Sequence, residues 1–588
     1  MTEFNQYYQD ELAYLRDMGE EFSNVYPKLA PFLVAEGNDP DVERLLEGFA
    51  FLTGRLRQKL DDQLPELTEE MFSLVEPQYL RPLPSASILE FSPIENAVSE
   101  RKIVPAGTSV DSKPVDGTSC RFQSSYDVEL QPLKVDSLKY ETTGVGSELR
   151  LTIKLLSGLS TDALTLDSLR FYLHGELVNS TGMFLWLSNY IKDVSIETGE
   201  PGYRESVRLS NQGLVSPGFD HENSLFPVAS NTHPAQLQLM EYFSFPQKFL
   251  FKEVSGLEKL RHLPVSDEFT LVFRFNRPFE PQMRPTADSF KLFCTPVVNV
   301  FEWDADPIRM THDKVEYRVR PTGSSNQNYE IYSVDQVSGW LQGSRERREY
   351  MPFLSFKQGI RSDSRSAQNF YQLRRQPATI GKGHDSYIKF ASAEDSFIAG
   401  EKEVVSIQLT CCNRHLPEKL KAGDICVATS DSPEFAQFHN LTVPTATYSS
   451  PGQSQLHWRL ISNLSLTHDS LAKLSSLKQI VSTYNFPAFH NNQAGRDAEL
   501  KLQGIQDIQT TPVISLINGA PVKGNALKLI VDSSRFNSEG DLYLFASLLN
   551  QFYAAHVSIN SFVQFTVEDK YRGETYRWKQ NSGQIPLI

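Results

Sequence analysis

Four residues between positions 411 and 426 are of types that bind zinc, namely Cys411, Cys412, His415 and Cys426. A structural zinc site needs four ligands in a tetrahedron, and these commonly come from a Cys-x-x-Cys pair and a second pair farther along the chain. Adjacent cysteines on a strand point to opposite faces, so Cys411 and Cys412 rarely bind one ion. The spacing therefore favours buried thiols over a metal site.

Two further groups of polar residues have side chains that can catalyse proton transfer. Asp304 and Asp306 share one face if the chain is extended, and paired carboxylates can act as general acid and base. They precede Pro307 in a polar context, which favours a solvated turn. His174 and Glu176 follow a predicted strand, where a turn with surface charges is the better interpretation.

Known catalytic and nucleotide-binding motifs are missing from the sequence. The segment 381–383 reads Gly-Lys-Gly, so the hydroxyl residue of a Walker A loop is absent. His221 and Glu222 are followed by Leu225 at the place where a zincin helix has its second histidine. No Gly-x-Ser-x-Gly elbow occurs. We therefore predict that the chain is not an enzyme and has no catalytic, cofactor-binding or metal-binding residues and no cofactor.

Composition makes two other classes of function unfavourable. The chain of 588 residues has a formal net charge of -15, whereas binding to nucleic-acid phosphates needs a basic surface. Apolar runs such as residues 292–301 are far too short to span a bilayer. Five cysteines in this length do not resemble a secreted disulfide framework, and the N-terminus lacks a basic and apolar signal sequence. We expect a cytoplasmic protein without nucleic-acid binding or membrane insertion.

The first 80 or so residues are predicted to form helices. Apolar residues within 4–25 recur mostly at three- and four-residue steps, which puts them near one helix face. Asp39 and Pro40 form a start signal for a second helix. Pro65 is expected to open a third, shorter helix that ends before Pro77.

A long apolar stripe runs along the second predicted helix. The spacing of these residues is equally consistent with a face buried in the chain's own core and with a face that packs against a partner chain. Periodicity alone does not distinguish the two. The candidate partner-interface residues are Val42, Leu45, Leu46, Phe49, Leu52, Leu56 and Leu60.

From Ser85 onward the apolar period changes from helical spacing to two, which is typical of half-buried strands. Residues 149–155, 169–173 and 269–275 show this alternation most clearly. Near the end of the chain, the spacing predicts helices over 471–484 and 542–553 and a strand over 557–567.

These patterns predict an α+β fold that is predominantly antiparallel β and has several domains. Residues 1–84 are predicted to form an N-terminal helical segment and 85–320 a β-rich region. A second β-rich region is expected over 321–456, and a mixed α/β region over 457–588.

Many ordered segments of the chain resemble one known family, TssF, also called VasA or ImpG. The resemblance spans nearly the whole chain and includes a departure at Cys412, where the family is expected to have a hydroxyl residue. Its segments include ELAYLR at 11–16, DVERLLEGFAFL at 41–52, PELTE at 65–69, LRFYLHG at 169–175, CTPVVN at 294–299 and SINSF at 558–562.

The resemblance implies a structural wedge subunit in the baseplate of a type VI secretion system. The partners implied are TssG, a second copy of this chain, TssK, TssE, the VgrG spike and the TssB/TssC sheath. The resemblance also implies a location beside the secretion apparatus docked at the inner membrane. The work implied is mechanical, with bistable packing at subunit interfaces as its physical basis.

Three alternatives remain open from the sequence. The chain could be a wedge protein of another contractile tail or injection particle, or a hydrolase whose site is dispersed beyond motif range. It could also be a carbohydrate- or surface-binding β-protein, although the missing signal sequence argues against export.

Overall fold

The computed structural model describes residues 8–583 with the gaps named here. The positions outside the description are 10, 13, 16–39, 143, 145, 157, 200–203, 211–212, 230–231, 281–282, 311–313, 324–327, 342–346, 354–368, 379–382, 393–402, 452–471, 491–492 and 518. In the first long helix, the side chains of 40–43, 46 and 56–68 are also outside the description. By its contacts the chain divides into two compact units, Met1–Leu74 with Gly452–Ile461 and Val75–Pro451 with Ser462–Ile588.

The helices of the described residues are few beside the strands. They are α1 (Pro40–Val75), α2 (Pro77–Leu80), α3 (Leu177–Leu185), α4 (Pro234–Ser244), α5 (Leu474–Thr483), α6 (Phe486–Phe489), α7 (Gln493–Gly504) and α8 (Glu539–Ala555).

The strands pair mostly antiparallel, which together with the helices confirms the predicted α+β class. In chain order they are β1 (Ala86–Pro93), β2 (Lys102–Val104), β3 (Ser109–Ser112), β4 (Arg121–Ser124), β5 (Val128–Leu130), β6 (Leu133–Thr142), β7 (Ser147–Leu155), β8 (Ser168–Leu173), β9 (Ile191–Thr198), β10 (Glu205–Leu209), β11 (Leu214–Val215), β12 (Phe251–Ser255), β13 (Glu268–Phe275), β14 (Phe290–Leu292), β15 (Cys294–Val298), β16 (Phe301–Asp304), β17 (Ile308–Met310), β18 (Tyr317–Arg318), β19 (Glu330–Leu341), β20 (Arg347–Pro352), β21 (Asn369–Pro377), β22 (His384–Ser392), β23 (Glu403–Cys412), β24 (Ile425–Ala428), β25 (Ala436–Asn440), β26 (Ile505–Ile517), β27 (Ala520–Val531), β28 (Phe562–Asp569), β29 (Thr575–Arg577) and β30 (Asn581–Ser582).

Helix α1 begins at Pro40, as the start signal predicts. The prediction that Pro65 opens a separate helix is wrong, because α1 continues through Pro65 to Val75. A proline inside a helix removes one backbone hydrogen bond and costs about 3 kcal/mol. The leucine, glutamine and glutamate residues on both sides favour the helix and offset part of that cost. The first predicted helix, over 4–25, lies outside the described residues except for helical positions between 8 and 15.

The N-terminal sheet joins strands that are far apart in the sequence. Its order is β24-β3-β4-β15-β1-β25, with Ala86 opposite Val298 and Leu89 opposite Asn440. Thus β24 pairs with β3 and β25 pairs with β1, although β1 and β3 lie far earlier in the chain. The predicted domain boundaries at 84, 320 and 456 remain predictions.

Two sheets between residues 133 and 292 follow the predicted alternation. One has the order β10-β9-β13-β7-β6 and the other β11-β12-β8-β14. In β7 the residues at odd positions, from Ser147 to Leu155, are buried, and those between them are half-buried. The alternation over 149–155 is thus that of a strand with one face in the core. In β13 the residues from Phe269 to Phe273 are buried on both faces of the sheet.

The barrel sheet is built from β16 to β23 and closes on itself. Its order is β16-β23-β19-β20-β21-β22-β18, and β17 pairs with β23. The backbone N–H of Asp306 donates to the carbonyl of Arg320 at 2.7 Å, and that of Thr322 donates to Asp304 at 2.9 Å. These bonds connect β16 and Asp306 with the segment that follows β18, so the two strands at the ends of the sheet are joined. The interior is apolar and includes Phe301, Ile308, Val337, Ile388, Val405, Ile407, Leu409 and Cys411.

The C-terminal sheet has the order β26-β27-β28-β29 and packs on α8, which is buried over nearly its whole length. The predicted helices over 471–484 and 542–553 correspond to α5 and α8. The predicted strand is confirmed only from Phe562. Ile559 lies in a turn closed by the bond from the Ser561 N–H to the Ser558 carbonyl, and the Val557 N–H donates to the Ala554 carbonyl at the end of α8.

Candidate assembly surfaces

The predicted apolar stripe is exposed where the structure describes it. Within this chain, Leu45 is 73% exposed, Phe49 57% and Leu52 60%. The opposite side of the same helix buries Ala50 and Gly54. The other candidate interface residues, Val42, Leu46, Leu56 and Leu60, have side chains outside the described residues.

Leu45, Phe49 and Leu52 form the part of the surface that we call the α1 stripe. Their spacing of four and three residues aligns them on one helix face. Large apolar side chains grouped on one exposed face are typical of sites that bind another protein. The α1 stripe is therefore a candidate interface.

A second exposed apolar patch lies on the hairpin of β26 and β27. Ile514 is 70% exposed and Leu516 75%. They lie opposite Lys523 and Pro521 across the hairpin, so the pairs share one face of the sheet. Sequence reasoning missed this patch, because alternating apolar residues indicate a strand but do not show whether its apolar face is packed against other residues or exposed to water.

The paired carboxylates predicted from the sequence lie on the rim of the barrel sheet. Asp304 is the last residue of β16, and Asp306 follows it beside Pro307; both are exposed. Their backbone groups make the bonds that close the barrel. This arrangement gives them a place in the fold without a catalytic partner among the described residues.

The zinc-type residues are not brought together. Cys411 and Cys412 are buried at the end of β23, Cys426 is exposed on β24, and His415 lies against Glu418, with Nδ1 2.5 Å from Oε1. Burial raises the pKa of Cys411 to about 12 and that of Cys412 well above its usual value. A thiol with a raised pKa is a poor metal ligand and a poor nucleophile. Throughout the described part of the chain, no three His, Cys, Asp or Glu residues are grouped to hold a metal ion.

A buried ion pair that sequence reasoning missed fixes helix α4. The Lys248 ammonium lies against the Glu241 carboxylate, and both side chains are almost completely buried. Glu241 also accepts hydrogen bonds from the Leu225 backbone N–H at 2.6 Å and the Ser224 hydroxyl at 3.0 Å. Burial lowers the pKa of Lys248, and the Glu241 charge opposes this effect. A pair so fully enclosed by protein is a structural element.

A second buried pair joins α7 to α8. Lys501 Nζ lies 2.7 Å from Asp541 Oδ1 and 3.1 Å from the Tyr242 hydroxyl on α4. Burial alone lowers the pKa of Lys501, but Tyr242 and Asp541 outweigh it and raise the pKa above the usual value. Lys501 therefore stays protonated at neutral pH, and its contacts link three helices.

Lys252 on β12 is a buried amine with neutral partners. Its Nζ lies 2.6 Å from the Ser188 hydroxyl, 2.7 Å from the Ser216 hydroxyl and 4.3 Å from the centre of the Phe184 ring. Burial lowers the pKa of Lys252 to about 7. Amines of this kind occur as catalytic nucleophiles, but Lys252 is enclosed by protein and 3% exposed, so a substrate cannot reach it.

None of the described helices has an apolar stretch long enough to cross a lipid bilayer.

Comparisons with known proteins agree over nearly the whole chain. The family model of the type VI secretion system protein TssF matches residues 1–585. A curated relative, the type VI secretion system component TssF1 of Pseudomonas aeruginosa (strain PAO1), is 28% identical over 628 aligned positions, which cover 99% of this chain and 99% of that one.

Two solved structures of type VI secretion assemblies contain similar chains. One is the TssK-TssF-TssG baseplate subcomplex, in which a chain of 29% identity covers 92% of this chain and 98% of its own length with a TM-score of 0.77. The other is the baseplate complex, with 26% identity, coverage of 99% and 100%, and a TM-score of 0.62.

Proposed function

Because the chain belongs to the TssF family of type VI secretion systems, we propose that it is a structural subunit of the baseplate that assembles with TssG and TssK. The observation that carries this proposal is the similarity in sequence and fold, from end to end, to a chain of the TssK-TssF-TssG baseplate subcomplex. Similarity at this length and coverage applies to the whole subunit and not to one shared domain.

The role we propose is mechanical and not catalytic. The candidate carboxylates, cysteines and histidine are separated, and the buried lysines among the described residues serve the packing of helices and strands. A closed sheet and helices fixed by buried ion pairs suit a part that carries load between neighbours. A wedge of another contractile tail and a dispersed hydrolase are the rival functions; the family favours neither.

Single alanine substitutions separate the mechanical role from a hydrolase. Asp304→Ala, Asp306→Ala, Cys412→Ala and His415→Ala should each leave secretion at the level of the unmodified chain, provided that the variant folds. Loss of secretion in a stable, assembled Asp304→Ala protein would support the hydrolase instead.

Family membership supports a proposal for a finer set of partners. We propose contacts with TssE, the VgrG spike, the TssB/TssC sheath and a second copy of this chain. The work then takes place in the cytoplasm, beside the apparatus docked at the inner membrane. A change between two packing arrangements at these interfaces is the physical means by which a baseplate can hold and then release a sheath.

We propose the α1 stripe as one interface within this assembly. α1 has 36 residues and so extends about 54 Å as a regular helix. Exposed leucine and phenylalanine side chains gain free energy when a partner removes them from water, at about 25 cal/mol for each Å² of apolar surface. An amphipathic helix of a partner is the element whose apolar spacing matches such a face.

Charge substitution in the stripe tests this interface. Phe49→Asp and Leu45→Asp should leave the melting temperature of the isolated chain nearly unchanged, because both side chains already face water. Capture of TssG in co-expression should fall by about tenfold or more, since an aspartate buried in an apolar interface is strongly unfavourable.

Ile559→Asp is the matched control, since Ile559 is also an exposed aliphatic residue but lies in the C-terminal region. The control should capture TssG normally. Normal capture with Phe49→Asp and Leu45→Asp as well would remove the α1 stripe from the proposed interfaces.

A further inference from the structure

A small cavity lies where β8, α3 and the segment 283–289 meet. Its volume is about 230 Å³. Leu173 at the end of β8 and His174 directly after it form one wall, and both belong to the sequence segment LRFYLHG. Gly175 has φ of +134°, a conformation that lets the chain turn from β8 into α3 and that favours glycine.

The lining of this cavity contains both donors and acceptors of hydrogen bonds. Arg284, an exposed residue, and Asn179 of α3 line it together with Thr286, Asp288 and Ser289. The backbone N–H of His174 is already used, because it donates to the Ser289 carbonyl at 3.0 Å. Leu173, Met183 and Met283 supply apolar wall.

Arg284 is the one charge of the cavity left uncompensated among the described residues. Asp288, the acidic residue of the lining, lies 2.6 Å from Lys291 and is neutralised by it. Burial lowers the pKa of His174, so its ring is uncharged at neutral pH. No ion pair to Arg284 is found in the described part of the chain, although the chain as a whole carries a net charge of -15.

We propose that this cavity binds an aspartate or glutamate side chain of a partner protein in the baseplate, with Arg284 as its counter-ion. Two observations carry the choice of occupant. The unpaired guanidinium is complementary to a carboxylate, which it can bind through two parallel hydrogen bonds. The volume is below the 300–1,000 Å³ typical of small-molecule sites and fits a single side chain, whose methylene groups would contact Leu173, Met183 and Met283.

The inference rests on the proposed assembly, so its test uses the complex with TssG and TssK. Arg284→Glu should weaken the affinity for the partner that fills the cavity by about tenfold, since like charges then face each other. The melting temperature of the isolated chain should not change, because the substitution breaks no ion pair within the described residues. Arg284→Gln, which removes the charge without reversing it, should give a smaller loss.

Arg261→Glu is the matched control. Arg261 is an exposed arginine in the short helical turn Leu257–His262 and is not part of the cavity lining. If the control and the unmodified chain both fail to assemble, the proposed function is wrong. If both assemble, the outcome for Arg284→Glu bears on the cavity alone.

A photo-crosslinking residue in place of Met283 identifies the occupant. After irradiation of the complex, mass spectrometry should find a crosslinked partner peptide that contains an aspartate or glutamate. Changing that acid to lysine should restore assembly with Arg284→Glu. Unchanged affinity of Arg284→Glu, or crosslinks to partner peptides without an acidic residue, would overturn the proposal.

Discussion

A Cβ atom added to Gly540 would lie 2.3 Å from the carbonyl carbon of Thr181. Gly540 is in the first turn of α8, and Thr181 lies in the middle of α3. The two helix backbones therefore cross at a distance that only glycine permits, and this contact joins parts of the chain more than 350 positions apart.

Gly540→Ala should destabilise the folded chain by about 1–3 kcal/mol, because backbone atoms at the crossing must move to admit the methyl group. Chemical denaturation of the isolated chain measures this. Gly48→Ala is the control, since a Cβ there would meet no described heavy atom within 4 Å and alanine favours the helix by up to about 1 kcal/mol. Equal stability of the two variants would show that the helices do not cross so closely.

Glu76 should make stability fall as the pH rises. Its side chain is 1% exposed, and burial raises the pKa from 4.5 to about 8, although a hydrogen bond with the His233 backbone opposes this. Between these pH values the Glu76 carboxyl therefore keeps its proton in the folded chain and loses it in the unfolded chain. The contribution of Glu76 to the free energy of unfolding is greatest below about pH 4.5 and decreases as the pH rises towards 8. Above that pH it is constant.

Glu76→Gln removes this ionisation. The variant should match the unmodified chain near pH 5 and be more stable by a few kcal/mol at pH 8. Melting temperatures of both chains across this range give the difference curve, from which shared titrations cancel. Parallel curves would mean that Glu76 is ionised in the folded chain.

Thiol labelling should distinguish Cys426 from the other cysteines. Cys120, Cys294, Cys411 and Cys412 are buried, and Cys426 is exposed. In the native chain an alkylating reagent should modify Cys426 within minutes and the others far more slowly. After denaturation without reductant all five should react, as expected of free thiols in a reducing compartment. A disulfide, or zinc released on denaturation, would contradict this account.

The sequence predicted local structure better than it predicted contacts. The alternation at Leu149, Leu151 and Ile153 identified β7, because a strand with one face in the core alternates buried apolar residues with more exposed ones. The pairing of β1 with β25, about 350 residues later, has no comparable local signal. The same is true of Lys501 and Asp541, whose ion pair depends on tertiary packing.

The errors also have physical causes. Pro65 was expected to begin a helix, but the strong helix formers on both sides carry α1 through it. The sequence could not predict whether the α1 stripe is buried or exposed, since apolar residues at every third or fourth position occur both in helices of a core and in helices of an interface. The cavity at Arg284 could not be foreseen, because its walls come from segments more than 100 residues apart.

Purification of the co-expressed proteins tests the central claim most directly. The chain carries an affinity tag and is produced with TssG and TssK, and the captured material is analysed by size-exclusion chromatography with light scattering. The account predicts one peak that contains all three proteins and whose mass exceeds that of this chain alone. Elution of the folded chain by itself, with TssG and TssK well expressed and soluble, would contradict it.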